Sequence, residues 1–256
     1  MVAKKLTFEY HAKKRVLNGI DLEVGEGVNI IIGPNASGKS TILKCLAGIL
    51  KTKNSVFFEG KEIGKCKNLY HKLSYLPQQI LTNAALNVFE IMLLGKIGQL
   101  SWRISEENLM FVEAVMDEFN IRHLALKKIN EISGGQLQEV FIAQALMKIP
   151  KYLLIDEPTN NLDLKNQLEI MEKIKGYIKK NRARALIVLH DLNLAIRYAD
   201  TLYLVKDGNV LAFGKPESVV SVSMLREVYG INAKIIKDDD GIPYIMPKAS
   251  CKTFTA

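Results

Sequence analysis

Apolar positions along this chain follow two rhythms, and the change from one to the other divides the sequence. Residues 2–9 and 17–24 read as two strands around a polar loop, His11 to Arg15, an antiparallel start. Val28-Asn29-Ile30-Ile31-Ile32 is a short β-branched run of the kind a buried strand carries. Thr41 to Leu50 then places apolar residues at helical spacing. Residues 55–59 form another strand before a turn at Gly60. Leu73 to Gln79 forms one that Pro77 stops, because proline lacks an N–H for the ladder. From about Leu81 to Leu146 the period becomes helical. Asn87 caps a helix through Gly95, and Ser105-Glu106-Glu107 opens one that runs to about Asn120, acidic in its first turn as the macrodipole favours. Gly98 to Arg103 lies between them as a loop, with Trp102 as a packing residue.

Alternation returns after a helix that follows Ser133 and ends at Leu146. Tyr152-Leu153-Leu154-Ile155 is an apolar strand ending in Asp156-Glu157-Pro158, and Leu164 to about Lys179 is a helix. Ala185 to Leu189 is the next strand and ends at His190-Asp191. Residues 201–212 form a hairpin turning at Asp207-Gly208, residues 216–229 a helix, and 232–236 and 243–246 two weak strands. Alternating strands and helices predict an α/β fold, and the helical block reads as an insertion. The expected organisation is one domain over residues 1–256, with a core of 1–80 and 147–256 and a helical subdomain of about 81–146. No internal repeat or low-complexity segment interrupts it.

Composition narrows the class. With 256 residues, 48% apolar and 24% charged, the chain has the makeup of a globular protein with a sizeable core. Apolar runs reach about five residues where a membrane span needs ~20, and the N-terminus lacks the apolar centre of a signal peptide. Cys45, Cys66 and Cys251 show neither metal nor disulfide spacing, which suits a reducing compartment. The net charge of +8 is compatible with nucleic acid, an anionic membrane or a phosphate-rich ligand, and its even spread decides among none of them.

The chemistry concentrates at loops that follow strands. Gly33-Pro34-Asn35-Ala36-Ser37-Gly38-Lys39-Ser40-Thr41 fits the phosphate-binding pattern G-x-x-x-x-G-K-[ST], in the strand–loop–helix context the pattern requires. Its backbone N–H groups and the helix N-terminus point at one anion. Lys39 supplies a charge for the terminal phosphates, and the Ser40 hydroxyl suits Mg²⁺. Gln78 leaves its strand where a neutral oxygen can reach a metal. Ser133-Gly134-Gly135-Gln136 opens a second helix with exposed first-turn N–H groups, a second anion site. Asp156 and Glu157 are adjacent at a strand end, so one carboxylate can serve a hard cation and the other an attacking water. His190 ends the following strand, while His11, His71 and His123 read as surface residues. Tyr10 closes the first strand, either as an ordinary strand-end aromatic or as a ring on which a base stacks.

In this order, Tyr10, the Gly33–Thr41 loop, Gln78, Ser133-Gly134-Gly135-Gln136, Tyr152–Glu157, Asn161-Leu162-Asp163 and His190 resemble the ATP-binding subunit of an ABC transporter over essentially the whole chain. Val88–Gly95 and Val228-Tyr229-Gly230-Ile231 resemble the branch serving importers of iron–siderophore complexes, haem and cobalamin. The resemblance implies a phosphate-loop NTPase cassette with a RecA-like core, an N-terminal antiparallel β subdomain and an inserted α-helical subdomain. It implies ATP and Mg²⁺ as cofactors. Tyr10 would stack on adenine, Lys39 would bind the β- and γ-phosphates, and Ser40, Gln78 and Asp156 would hold the metal. Glu157 would be the general base and His190 would contact the γ-phosphate. Ser133, Gly134, Gly135, Gln136 and Asp163 would meet the ATP of a second copy in a head-to-tail homodimer. Integral membrane permease subunits and a substrate-binding protein would complete the assembly on the cytoplasmic face of the membrane.

The chain departs from that pattern at Ile132, where leucine is usual, at Leu137-Gln138-Glu139-Val140 in place of an arginine-rich segment, and at Gln144. These changes leave the catalytic set intact and bear instead on the salt bridges the family pattern implies. Three alternatives stand beside the importer. An ABC ATPase could serve another solute or export. A nucleic-acid- or ribosome-associated ABC ATPase would carry two cassettes or a long coiled-coil insertion, and no direct nucleic-acid contact is expected here. A regulator without turnover would lack Glu157 or His190.

Overall fold

The computed structural model describes residues 1–10, 14–79, 85–96 and 105–251. In chain order the strands are β1 (Val2–Tyr10), β2 (Lys14–Glu23), β3 (Gly27–Ile32), β4 (Val56–Phe58), β5 (Lys61–Glu62), β6 (Leu73–Leu76), β7 (Tyr152–Asp156), β8 (Arg184–Val188), β9 (Thr201–Lys206), β10 (Asn209–Gly214), β11 (Ile231–Lys237) and β12 (Pro243–Ser250). The α-helices are α1 (Lys39–Leu46), α2 (Leu69–Lys72), α3 (Val88–Leu94), α4 (Glu106–Glu118), α5 (Gly134–Leu146), α6 (Leu164–Asn181), α7 (Leu192–Tyr198), α8 (Pro216–Val219) and α9 (Val222–Tyr229). The chain forms two compact units, residues 1–67 with 184–256, and residues 68–183.

In the first unit, β2, β1, β4 and β5 make an antiparallel sheet in that order. A separate set runs β10-β9-β3-β8, with β3 parallel to both β8 and β9 and β10 antiparallel on β9. A strand with parallel neighbours on both sides is covered on both faces, and β3 is accordingly buried at every position after Gly27. Asn29 is the polar exception in that run. Its amide donates to the carbonyls of Gly25 and Ala185 at 3.0 Å each, and its oxygen accepts from the Gly25 N–H at 3.2 Å. A buried amide satisfied in this way ties β3 both to the turn before it and to β8. The β11–β12 ribbon closes the unit and is fastened through Asn193, whose amide group exchanges two hydrogen bonds with the Ile245 backbone at 3.1 and 2.7 Å.

The second unit carries the parallel pair β6–β7, in register from Leu73 with Tyr152 to Leu76 with Ile155, together with α2 to α6. Helices α3 to α6 begin at side-chain caps, whereas α2 has none. Asn87 and Glu90 form a reciprocal capping box at α3, Ser105 caps α4, and Ser133 with Gln136 forms a second box at α5. Glu139, inside the segment that departs from the family pattern, pairs with Lys173 of α6 at 2.7 Å, both groups being about four-fifths buried. Lys173 also donates to the Phe119 carbonyl at 3.0 Å, which links α5, α6 and the end of α4.

Several boundaries differ from the sequence expectation. The segment 216–229 is two helices, because the chain turns extended at Val220 and Ser221, and the Ser221 hydroxyl then caps α9 through the Met224 N–H. Helix α7 appears where none was expected. Asp191 caps it, and seven residues are too few for periodicity to register. Strand β2 starts at Lys14 rather than Leu17, so Arg15 is in a strand and not a loop. His71 and His123 are exposed, as expected. His11, Trp102 and the Gly98–Arg103 loop lie outside the described residues.

Candidate functional site

The first unit presents the phosphate loop. Strand β3 delivers the chain to Gly33, and α1 carries it away from Lys39. Gly33 rests on strand β9, where a Cβ would lie 1.9 Å from the Val205 carbonyl oxygen. Gly38 adopts φ 101°, and a Cβ there would meet the Leu17 side chain at 2.8 Å. Close backbone approach therefore requires glycine at both ends of the loop. Ala36 takes the left-handed conformation at φ 60°, Ser37 is buried, and Pro34, Asn35 and Ser40 retain access to solvent. The Lys39 side chain is 5% exposed, and its ammonium donates to the carbonyls of Gly33 and Pro34 at 2.9 Å each. Its charge is thereby fixed over the loop.

Two more residues of this unit bear on that loop. The Tyr10 ring packs edge-to-face with that of Phe8, the residue is 44% exposed, and its hydroxyl lies 3.4 Å from that of Thr41 on α1. An exposed aromatic tied to the first turn after the loop has the chemistry to stack on a planar group. His190 leaves the C-terminal end of β8. The Leu189 N–H still donates to Ile31 at 3.2 Å, so the exposed imidazole follows the strand end adjacent to the one that feeds Gly33. Parallel strands release their loops at one edge, where α/β sheets bind ligands.

The second unit gathers a different set. Because β6 and β7 run parallel and in register, Pro77-Gln78 and Asp156-Glu157 emerge at a common edge. Asp156 and Glu157 are 2% and 6% exposed. The Gln78 Nε2 donates to Glu157 Oε2 at 2.5 Å, and the Asn160 side-chain amide donates to the same oxygen. Glu157 itself sits at φ 55°, a left-handed backbone that a glutamate adopts only when its surroundings impose it. Such outliers concentrate at functional positions, and here it aims a carboxylate at two amide donors. With Gln78 donating through its nitrogen, its oxygen is the atom it has for a cation.

At α5 the Ser133 hydroxyl accepts from the Gln136 N–H at 3.3 Å while Gln136 Oε1 accepts from the Ser133 N–H at 3.0 Å. A Cβ on Gly134 would meet open space, and Gly135 faces Leu162, whose side chain is 3.4 Å from where a Cβ would be. Asp163 caps α6, accepting from the Asn166 N–H at 2.8 Å and its side-chain amide at 3.0 Å. The loop before α6 and the start of α5 are thus neighbours. Asn160 was missed by sequence reasoning. The available signal was an amide three residues after a glutamate in a turn, too common a pattern to single out.

A strand-fed phosphate loop with a buried lysine, an aromatic platform, and a buried strand-end acid pair beside a glutamine together define a nucleoside-triphosphate-binding protein. Residues 17–160 match the ABC transporter family. The chain is 41% identical over 241 residues to an uncharacterized ABC transporter ATP-binding protein of Methanocaldococcus jannaschii, covering 93% of this chain and 94% of that one. It is 33% identical to the hemin import ATP-binding protein of Bradyrhizobium diazoefficiens, over 93% and 91% of the two chains. A solved ATP-binding cassette, dimeric in a post-hydrolysis state with ADP and Pi, is 26% identical with a TM-score of 0.72, over 84% of this chain and 98% of that one. The chain belongs to the ABC transporter family and is one of its ATP-binding, ATP-hydrolysing subunits. Among the described residues no helix is long and apolar enough to cross a membrane.

Proposed function

We propose that this chain energises a membrane importer for a metal chelate, working as a homodimer that closes on ATP at the cytoplasmic face of the membrane. The chelate class rests on the hemin importer subunit among its relatives, together with the stretches Val88–Gly95 and Val228–Ile231. Permease subunits would receive the force through the Gln78 loop and the helical segment 81–146, and a substrate-binding protein would deliver the cargo.

Tyr10 stacks on adenine, and the N–H groups of the Gly33–Thr41 loop with Lys39 bind the phosphates. His190 donates to the γ-phosphate. Ser133, Gly134, Gly135, Gln136 and Asp163 serve the nucleotide held by the other copy. Ser40, Gln78 and Asp156 offer a hydroxyl, an amide oxygen and a carboxylate. All are hard oxygens, and they suit Mg²⁺, which takes few protein ligands when phosphates and waters supply the rest. A cation held by these residues would supply charge neutralisation for the transferred phosphoryl group. Glu157 takes the proton of the attacking water.

The observation that carries the catalytic assignment is the Glu157 carboxylate, gripped by Gln78 and Asn160 on a left-handed backbone at the end of β7. Glu157→Gln removes the base and keeps the shape. Hydrolysis should fall by about 10²–10⁴-fold, while ATP binding persists. Wild-type turnover in Glu157→Gln would overturn the assignment.

A further inference from the structure

We propose that the β9–β10 hairpin turn, Asp207-Gly208, together with Asn18 of β2, is a strut that holds the phosphate loop in its ATP-binding shape, a positioning role that rests on the ATP-binding reading above. The loop meets this hairpin twice. Gly33 packs on the Val205 carbonyl at the end of β9, and four residues further along the Ser37 carbonyl accepts from the Gly208 N–H at 3.1 Å. The turn is clamped from its other side by β2. The Asn18 N–H donates to the Gly208 carbonyl at 2.8 Å, and the Asn18 side-chain amide donates to the Asp207 carbonyl at 2.9 Å.

The fit leaves no slack. Asp207 and Gly208 both have left-handed backbones, φ 48° and 73°, the geometry of a tight hairpin turn. A Cβ on Gly208 would lie 2.3 Å from the Val16 carbonyl and 2.9 Å from the Asn18 amide nitrogen. The same Val16–Leu17 segment backs Gly38, at 3.2 and 2.8 Å from the position of its Cβ. One short stretch of β2 therefore supports both the turn and the far end of the loop. A loop that binds phosphate through backbone N–H groups works only while those groups converge, so what fixes the Ser37 carbonyl also fixes the peptide planes around it. Neither Gly208 nor Asn18 touches the ligand in this scheme. They act through the backbone of residues 33–38.

Titrating a fluorescent ATP analogue into the full-length chain and four variants tests the strut, with each variant's thermal midpoint measured alongside. Gly208→Ala should weaken binding at least tenfold. Asn18→Ala, at an exposed bond, should weaken it by up to about fivefold, the most that one net hydrogen bond of about 1 kcal/mol can supply, and should leave the chain folded. Asn209→Ala removes a bond within the turn, from Asn209 to the Asp207 carbonyl, and should leave affinity unchanged. Lys39→Ala should abolish binding. In steady state, Asn18→Ala should raise KM and spare kcat, the signature of lost uniform binding. Wild-type affinity in both Gly208→Ala and Asn18→Ala, or an Asn209→Ala loss as large as that of Asn18→Ala, overturns the strut. Unchanged binding in Lys39→Ala would instead overturn the ATP site on which it rests.

Discussion

The two units hold their candidate site residues by different means. In residues 1–67 with 184–256, the phosphate loop is shaped by backbone. Gly33 lies against the Val205 carbonyl, Gly38 against Val16 and Leu17, and the Ser37 carbonyl on the Gly208 N–H. In residues 68–183, polar side chains bind one another or cap helices: Gln78 and Asn160 on Glu157, Ser133 with Gln136, and Asp163 with Asn166. The difference predicts how each set fails. Substitutions around the loop disturb a surface shared by many atoms, and binding suffers. In the second unit a single side chain can be removed with a separable effect, on chemistry for Glu157 and on stability for a cap.

After the loss of turnover in Glu157→Gln and of binding in Lys39→Ala, the next effect expected is on the first unit's aromatic ring. Tyr10→Ala should weaken ATP binding by a stacking contribution on the order of 1–3 kcal/mol, read by titration calorimetry, and Tyr10→Phe should retain most of it. Equal losses in both would shift the weight from the ring to the hydroxyl contact with Thr41. In the second unit, Asp163→Ala should lower unfolding free energy by about 1 kcal/mol, the worth of an N-cap, measured by denaturant titration. Asp163→Asn keeps the cap, so any change it makes in ATP-driven dimerisation isolates the charge from the helix it starts.

The smallest effect belongs to α1, the helix behind the loop. Burial pushes the Cys45 thiol up to about 12 from an ordinary 9.0, since a thiolate there would lose its hydration. The folded-state value is raised, so the neutral thiol's contribution is complete below about pH 9 and is lost as pH rises toward 12. A thiol reagent at pH 8 should label Cys66 and Cys251, which are part-exposed, and spare Cys45. Comparable labelling of Cys45 in the folded chain would contradict the closed packing behind the loop.

What could be read from sequence divides by sequence separation rather than by unit. The Gly33–Thr41 loop, the caps at Asn87, Ser105 and Ser133 and the Asp207-Gly208 turn are encoded within a few residues, and each appears where its local pattern put it. The Gln78–Glu157 bond joins residues 79 apart and depends on β6 and β7 pairing parallel in one register, which no local pattern states. The same holds for Tyr10 with Thr41, and for Gly208 with Ser37. Asp163 shows how one residue can satisfy two descriptions. Placed near a dimer seam by the family resemblance, it is also the plain N-cap of α6. The break at Val220–Ser221 went unseen because its apolar residues continue a helical rhythm across an extended hinge.

In the proposed dimer, ATP bound by one copy's phosphate loop is completed by Ser133-Gly134-Gly135 of another. Size-exclusion chromatography of Glu157→Gln with saturating ATP and Mg²⁺ tests it most directly, since binding without turnover should trap the closed pair. A dimer with ATP that reverts to monomer with ADP, and that Ser133→Arg prevents, is the predicted result. A chain that binds ATP yet elutes as a monomer at every nucleotide concentration would contradict it.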